Sequence, residues 1–289
     1  SGSLYCLNKK TGETVQTIAL STELGAPSSA ISYASGSIYF STENGYVCAY
    51  PLTEDGLPDT EHAQQIRLDD TICGTPLIYQ GRLYVGSAGK DSYGTIHSPY
   101  HLNVVDIGKD GTLSLAYQMN VSGFPKGSGT LTTAYEEQTG YVYVYFTTDS
   151  TNGSIYLLKD KAGLTSPGEG SGLLYQQSEV YGNGSGTVLA DKNGNLYVRY
   201  ESGWMYAIKS SSLYLENVII SDGNAVVDDG GAFDGQAENH TVILDAGTSE
   251  VTMKFEVSDR TSVTVNGKEG AEQKIRLVDG KAELSVMLG

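Results

Sequence analysis

The amino-acid sequence predicts an all-β fold in two parts: a β-propeller over residues 1–211 and a small C-terminal β-sandwich over residues 212–289. Three observations carry that expectation. The composition favours strands and turns, with 36 glycines and 21 tyrosines, and the chain holds no long Ala/Leu/Glu/Lys stretch of helical type. A short strand phrase recurs through the first part. Beyond Ser212 that phrase stops, and short strand-like runs follow at intervals of about ten residues.

The recurring phrase is Gly, any residue, an aliphatic residue, then Tyr. It reads GSIYFST from Gly36, GRLYVGS from Gly81, GYVYVYF from Gly140 and GNLYVRY from Gly194. Its tyrosines, Tyr39, Tyr84, Tyr143 and Tyr197, lie roughly 45–60 residues apart, the length of a four-stranded blade with insertions. In SIYFST and RLYVGS apolar residues alternate with small or polar ones, the period of a strand. A shorter segment precedes each phrase: SSAISYAS, CGTPLIYQ, GSGTLTTAY and GSGTVLAD. A further strand follows each phrase: GYVCAYPL, YHLNVVDI, GSIYLLKD and GWMYAIKS. The chain opens on this same type of strand, GSLYCLNKKTGE. Each repeat thus supplies three strands and a variable fourth, such as EHAQQIRL or SLAYQMNV. The Asn-Gly pairs at 44–45, 152–153 and 193–194 are expected to supply the positive φ angles of hairpin turns. The second repeat carries a long insertion from about Ser87 to Tyr100.

The G-x-[LI]-Y strand, the G-x-[LIV]-Y-x-[LI] strand after it, and Lys10-Thr11-Gly12-Glu13-Thr14 before the outer strand resemble the repeat of pyrroloquinoline-quinone-dehydrogenase-like propellers. The resemblance spans about residues 1–210. It implies a tryptophan after the Thr-Gly turn that docks one blade on the next. Val15 and Gln16 stand there instead, and the single tryptophan, Trp204, falls in the last third strand, so the blade locks are expected to be weaker. Four repeats and a half-blade, Ser1 to about Leu20, are visible. Two readings of the ring stay open. Further blades precede residue 1 in a longer polypeptide, which is preferred, or a five-bladed ring closes through the N-terminal strands.

In the second part, LENVIISDG, HTVILDAGTSEVTMKFEVSD and SVTVNGK resemble the cadherin-like β-sandwich repeats of bacterial surface proteins, over about residues 213–289. That resemblance implies a spacer or stalk without a shared catalytic site, on an extracellular or cell-surface protein. It also implies one further strand at about Met287-Leu288-Gly289.

The formal net charge of -16 argues against a nucleic-acid partner, which would require clustered Lys and Arg. No run of about 18 apolar residues offers a membrane span. Cys6, Cys48 and Cys73 form no disulfide framework and read as buried free thiols in strand-like runs, with a bridge through Cys6 or Cys48 the alternative.

His97 and His101 stand four apart, but Pro99 lies between them and no third ligand is near, so they are read as non-metal residues. Asp191-Lys192-Asn193-Gly194-Asn195 begins like a calcium loop. Leu196 then takes the place of the required glycine, and the hairpin reading prevails. Asp228, Asp229 and Asp234, in a Gly-rich loop, are the candidates for a surface calcium site. No cofactor is expected: quinone would need aromatic stacking and paired adjacent cysteines, both missing from the sequence. No nucleophile elbow or Walker motif is present.

Tyr93, Tyr100 and Tyr181, in loops or insertions, and Trp204 are the candidate ligand-binding residues, because a ring offers flat apolar area with a polar tip. Two function classes compete. One is a surface binding or scaffold protein, using propeller loops to hold a protein or carbohydrate ligand. The other is a propeller enzyme (hydrolase, lyase or degenerate quinoprotein) with a central site. An enzyme should place Asp, Glu, His or Arg at equivalent inner strand ends. Those ends read Gly-Thr-Pro, Gly-Thr-Leu and Gly-Thr-Val, which favours the binding protein.

Overall fold

The computed structural model describes residues 2–150, 152–176, 186–191, 195–201, 203–208, 215–221, 225–230, 233, 237, 239–257 and 262–288, the side chain of Asp229 excepted. Tyr181 and Asp234 lie outside these residues. The fold is all-β, and the chain divides into two compact units, Ser1–Lys209 and Ser210–Gly289.

In the first unit every sheet among the described residues is an antiparallel meander in chain order. A ribbon of β1 (Ser3–Leu7) and β2 (Thr14–Ala19) comes first. The second sheet holds β3 (Ser32–Ala34), β4 (Ser37–Ser41), β5 (Tyr46–Pro51) and β6 (Gln64–Arg67). The third holds β7 (Leu77–Tyr79), β8 (Arg82–Lys90), β9 (Ile96–Ile107) and β10 (Leu113–Asn120). In the fourth, β11 (Thr130–Thr132) leads through the helical turn α1 (Glu136–Thr139) to β12 (Val142–Thr148), β13 (Ser154–Asp160) and β14 (Gly172–Gln176). The fifth holds β15 (Leu189–Ala190), β16 (Leu196–Arg199) and β17 (Met205–Ile208).

Each sheet presents apolar residues on both faces, so each must be covered twice. Four cores join successive sheets. Leu4 and Ile18 meet Phe40, Cys48 and Tyr50. Tyr39, Val47 and Ala49 meet Leu83, Val85 and Val105. Tyr84, Leu102, Val104 and Tyr117 meet Val144, Phe146, Tyr156 and Leu158. Tyr145 and Ile155 meet Leu196, Val198 and Tyr200. This stack of antiparallel meanders, the middle three of them four-stranded, packs face on face as propeller blades do.

The register corrects one alignment. Ser32, Leu77, Thr130 and Leu189, each the first residue of its sheet, pair with Tyr39, Tyr84, Tyr145 and Tyr197. Tyr145, not Tyr143, is therefore the third repeat tyrosine. The reason is α1: Gly140 caps it in the left-handed region (φ 71°) instead of making a tight hairpin turn. A slip of two residues leaves the face unchanged, so Tyr143 still packs against the same core.

The turns need a second correction. Both residues have positive φ in Ser35-Gly36 and Gln80-Gly81, the two-residue hairpins. At Asn44-Gly45 only the glycine does, and Gly45 N donates to Thr42 O in a longer turn. The pair at 193–194 lies outside the described residues. The cysteines are free, but only Cys48 is buried, and burial pushes its thiol up to about 12. Cys6 and Cys73 are half-buried: Cys6 lies on the Leu4 side of β1 at the register shift that ends the strand, and Cys73 sits in a loop before β7.

In place of a tryptophan dock, a carboxylate ties the third sheet to the fourth. Asp160, fully buried on β13, accepts hydrogen bonds from Tyr84 (2.8 Å) and Tyr117 (2.6 Å) of the neighbouring sheet. Arg82, also buried, brings Nη1 to 3.5 Å from Asp160 and Nε to 3.2 Å from Asp106. Neither nitrogen makes a hydrogen bond, so these two contacts act through charge alone. The second guanidinium NH2 group donates to Leu164 O at 2.8 Å. Hydroxyls near the first strands add a second row of ties. Ser32 donates to Pro76 O, Thr130 to Val188 O, Ser41 to Gly74 O and Thr147 to Gly186 O. Gly74 is needed there: a Cβ would sit 2.8 Å from Gly127 O of the next sheet.

The second unit is a sandwich. One sheet is β18 (Leu215–Ile220), β21 (Glu250–Val257) and β24 (Glu272–Arg276). The other is β23 (Lys268–Glu269), β22 (Val263–Val265) and β25 (Val286–Leu288). A ribbon of β19 (Ala225–Val227) and β20 (Val242–Leu244) accompanies them. Val251, Met253 and Phe255 from one sheet and Val263 and Val265 from the other form the buried core.

Two outcomes test the carboxylate tie. Asp160→Ala leaves the buried Arg82 with only the half-exposed Asp106 carboxylate and leaves the Tyr84 and Tyr117 hydroxyls without their acceptor, and should destabilise the first unit by about 3 kcal/mol in urea unfolding. A loss below about 1 kcal/mol would mean that the tie is not structural. Burial and the Asp160 carboxylate both hold the Tyr84 hydroxyl above its usual range, and Tyr117 behaves alike. A raised folded-state value means that the stabilisation is complete below the ordinary tyrosine value of 10.0 and is lost above it. Stability should therefore fall above about pH 10, by up to about 1.4 kcal/mol per pH unit for each tyrosine. Tyr117→Phe should flatten that fall.

Candidate functional site

The sequence insertion at Ser87–Tyr100 is not a loop. It lengthens β8 and β9 into one hairpin. The last rung of β10 is Asn120 on His101, and the rungs beyond it join β8 and β9 to each other: Ala88–Tyr100, Gly89–His97 and Lys90–Ile96. The register shifts between Ala88 and Gly89, which leaves Ser98 and Pro99 as a bulge. Gly89 is required at that shift, since a Cβ would lie 2.9 Å from the His97 ring. Residues 92–99 are all exposed.

At the tip, Asp91 fixes the backbone that carries Tyr93. Its Oδ1 accepts from Tyr93 N (2.9 Å) and Thr95 N (2.8 Å), and Gly94 turns the chain with φ 87°. The Thr95 and Tyr93 amides hold the Asp91 carboxyl below its usual range, against a smaller opposing effect of desolvation. Tyr93 is 93% exposed, the most exposed ring among the described residues' large apolar side chains. The tip therefore presents a bare aromatic ring on an ordered turn.

The base is anchored by a polar network. Asp69, from the β6–β7 connection, accepts from Ser87 Oγ and lies 2.7 Å from His101 Nδ1. Asn103 Nδ2 donates to Ser87 Oγ (2.7 Å), and Gln118 Nε2 donates to Asn103 Oδ1 (2.7 Å). Thr71 exchanges two backbone hydrogen bonds with Ala88, and Lys90 Nζ donates to Glu43 O (2.6 Å) on the preceding sheet. Serine, histidine and aspartate meet here, but both the serine and the histidine address the aspartate. No hydroxyl-to-imidazole relay of a nucleophilic triad exists.

The structure brings two of the sequence candidates onto one hairpin: Tyr93 at its tip and Tyr100, half-buried, at its base. Trp204 is exposed on the turn before β17, in a different sheet. Tyr181 lies outside the described residues. His97 and His101 have separate partners: His97 Nδ1 lies 2.5 Å from Ser98 O and His101 Nδ1 2.7 Å from Asp69 Oδ2. Asp191 is occupied by Asn195 and Tyr197. Asp228 is committed to His240 Nδ1 (2.7 Å) and Thr241 N (3.0 Å), and these bonds, His240 first, hold its carboxyl low. The side chain of Asp229 and all of Asp234 lie outside the described residues. Among the described residues no group of three His, Cys, Asp or Glu could hold a metal ion. Among the described residues no helix is long and apolar enough to cross a membrane.

The sequence reading missed Asp69, Asn103 and Gln118, because nothing local links a β6–β7 loop residue to a strand 32 residues away. It also missed an aromatic and cationic cluster at the far end of β12. There the Tyr135 and Tyr143 rings lie 5.3 Å apart, and Lys161 Nζ sits 4.4 Å from the centre of the Tyr141 ring. The tyrosine-rich run AYEEQTGYVYVY was the available signal.

These sheets and this hairpin define an all-β protein of propeller-like blades. No protein-family model and no curated protein matches the chain. Among solved structures it is similar to the quinohemoprotein alcohol dehydrogenase of Comamonas testosteroni, with 11% identity and a TM-score of 0.47 over 71% of this chain and 38% of that one. It is also similar to BamB of Moraxella catarrhalis, with 15% identity and a TM-score of 0.40 over 88% of this chain and 64% of that one. The chain thus spans less than two thirds of either. At these scores the fold rests on the sheets themselves.

The tip is testable by amide exchange. Asp91→Ala should speed exchange at Tyr93 and Thr95 at least about five-fold while leaving the melting temperature unchanged. A lowered carboxyl value means that the ordered turn is intact above 3.8 and is lost as pH falls below it, so acid should loosen the same amides. Unchanged exchange in the variant would show that the tip is not held by Asp91.

Proposed function

We propose that this chain is a secreted or surface-exposed bacterial binding or scaffold protein. Its stacked sheets form a rigid frame, and the β8–β9 hairpin contacts a protein or carbohydrate ligand. The observation that carries this reading is Tyr93, a fully solvated ring on a turn fixed from below. An exposed aromatic on an ordered support loses little conformational freedom on binding and offers a large contact area. Exposed Ile96 beside it and half-buried Tyr100 extend the same ribbon. The sandwich serves as a cadherin-like spacer, consistent with its short strands and a core closed by two small sheets.

The inner segments support this reading over an enzyme. Ser32, Ser41, Thr130 and Thr147 are spent on the carbonyls of the next sheet, and no described acid–base pair stands with them. A glycan microarray and a surface-protein panel, both probed with labelled chain, test the proposal. Tyr93→Ala should lower retained signal more than about ten-fold without altering the melting temperature. Equal binding by wild type and Tyr93→Ala would remove the hairpin as the contact surface.

A further inference from the structure

At the foot of the β8–β9 hairpin the first unit is hollowed into a cleft of ≈ 320 Å³. Glu23 reaches it from the β2–β3 connection and Asn44 from the β4–β5 turn. Tyr46 opens β5, Arg67 ends β6, Asp70 follows in the β6–β7 connection, and Lys90 ends β8. All six side chains carry a polar group, and the chain from residue 23 to residue 90 is described without a break. Asp69, beside Asp70, is spent on Ser87 and His101 and takes no part.

The charges inside the cleft are already matched. Arg67 Nη2 lies 3.0 Å from Asp70 Oδ1, and Lys90 N donates to Asp70 Oδ2 (3.3 Å). The Tyr46 hydroxyl donates to Glu23 Oε1 (2.8 Å), and that bond holds the phenol above its usual range against the opposing charge of Arg67. Asn44 Nδ2 donates to Glu23 O (3.0 Å), and Lys90 Nζ donates to Glu43 O (2.6 Å). What is left is hydrogen-bonding capacity of both kinds. Glu23 Oε2 and Asn44 Oδ1 accept from no described residue, and Arg67 Nε and two Lys90 Nζ hydrogens donate to none.

That remainder selects the ligand. An anion at Arg67 would meet Asp70, and a cation at Glu23 would meet Arg67, so neither sign gains a free partner. A hydroxyl donates and accepts at once. Neighbouring hydroxyls of a sugar ring can each accept from Arg67 or Lys90 and donate to Glu23 or Asn44. The volume stands at the small end of ligand sites, which run from about 300 to 1,000 Å³, and suits one such ring. We infer that the cleft binds one residue of a neutral, polyhydroxylated carbohydrate, with Tyr93 as the platform for a further residue of the same chain, an assignment that rests on the hairpin being the contact surface. Lys90 and Tyr93 are three positions apart on one ribbon, so at most about 11 Å of chain separates them. The Tyr93 ring offers its flat face to the C–H side of a sugar, and the cleft reads the hydroxyls.

The full chain on an array of neutral and acidic oligosaccharides, at low and high salt and beside a surface-protein panel, gives the test. The wild type should be retained on neutral oligosaccharides, with a signal that changes less than about two-fold with salt, because no net ionic contact forms. Arg67→Ala and Glu23→Ala should each lower that signal at least about ten-fold with unchanged circular dichroism and melting temperature, since each removes a charged hydrogen-bonding group. If either variant fails to fold, Arg67→Gln or Glu23→Gln takes its place. A signal lost in Tyr93→Ala but kept in both cleft variants would overturn the cleft and leave the hairpin standing. A signal lost in the cleft variants but kept in Tyr93→Ala would overturn the hairpin and, with it, the two-part site. Retention on proteins alone, a preference for acidic oligosaccharides that fades with salt, or no retention on any oligosaccharide would each overturn the carbohydrate assignment.

Discussion

Every sheet of the first unit has two apolar faces, and the rest of the architecture follows from the need to cover both. A strand places alternate side chains on opposite faces, so a sheet such as β3–β6 buries Tyr39, Val47 and Ala49 on one side and Phe40, Cys48 and Tyr50 on the other. No single sheet can be stable alone under that demand. Face-on stacking in chain order satisfies it with short connections, and the order of the chain becomes the order of the stack. Burial of this kind is non-directional and accepts many residue types, which is why the repeats agree in pattern far better than in sequence.

Specific polar ties then fix what burial leaves loose. Asp160 with Tyr84, Tyr117 and Arg82 does so between the third and fourth sheets, where a tryptophan lock was expected from the family resemblance. A carboxylate with two phenolic donors and a guanidinium nearby is directional in a way an indole ring is not. The hydroxyl-to-carbonyl ties of Ser32, Ser41, Thr130 and Thr147 perform the same task close to the first strands. Their rung positions explain why Gly, Ser and Thr crowd the segments before those strands.

The strands themselves were legible because period-2 alternation and glycine turns are local signals, and LENVIISDG, HTVILDAGTSEVTMKFEVSD and SVTVNGK each carry strands. Register was less legible. GYVYVYF carries the repeat phrase, yet Gly140 serves α1, and only the pairing of Thr130 with Tyr145 reveals the two-residue offset. The candidate site divides in the same way. Tyr93 and Tyr100 were found because they stand in a segment that interrupts the repeat. Asp69 was not, since its role depends on contacts with Ser87 and His101 that only the assembled sheet creates. The Pro, Gly and Ser content of the insertion masks its two paired strands.

The functional reading inherits this layout. A stack of doubly covered sheets is stiff, and a hairpin that outgrows it carries its ring away from the frame without loosening it. Hydrogen–deuterium exchange at low protein concentration tests the underlying constraint most directly. If two-sided burial sets stability, protection should be greatest in β4–β5, β8–β9 below Ala88, and β12–β13, and clearly lower in β1–β2 and β16–β17, which have one covered face. Equal protection across all five sheets, or greater protection in β1–β2 and β16–β17, would contradict the account.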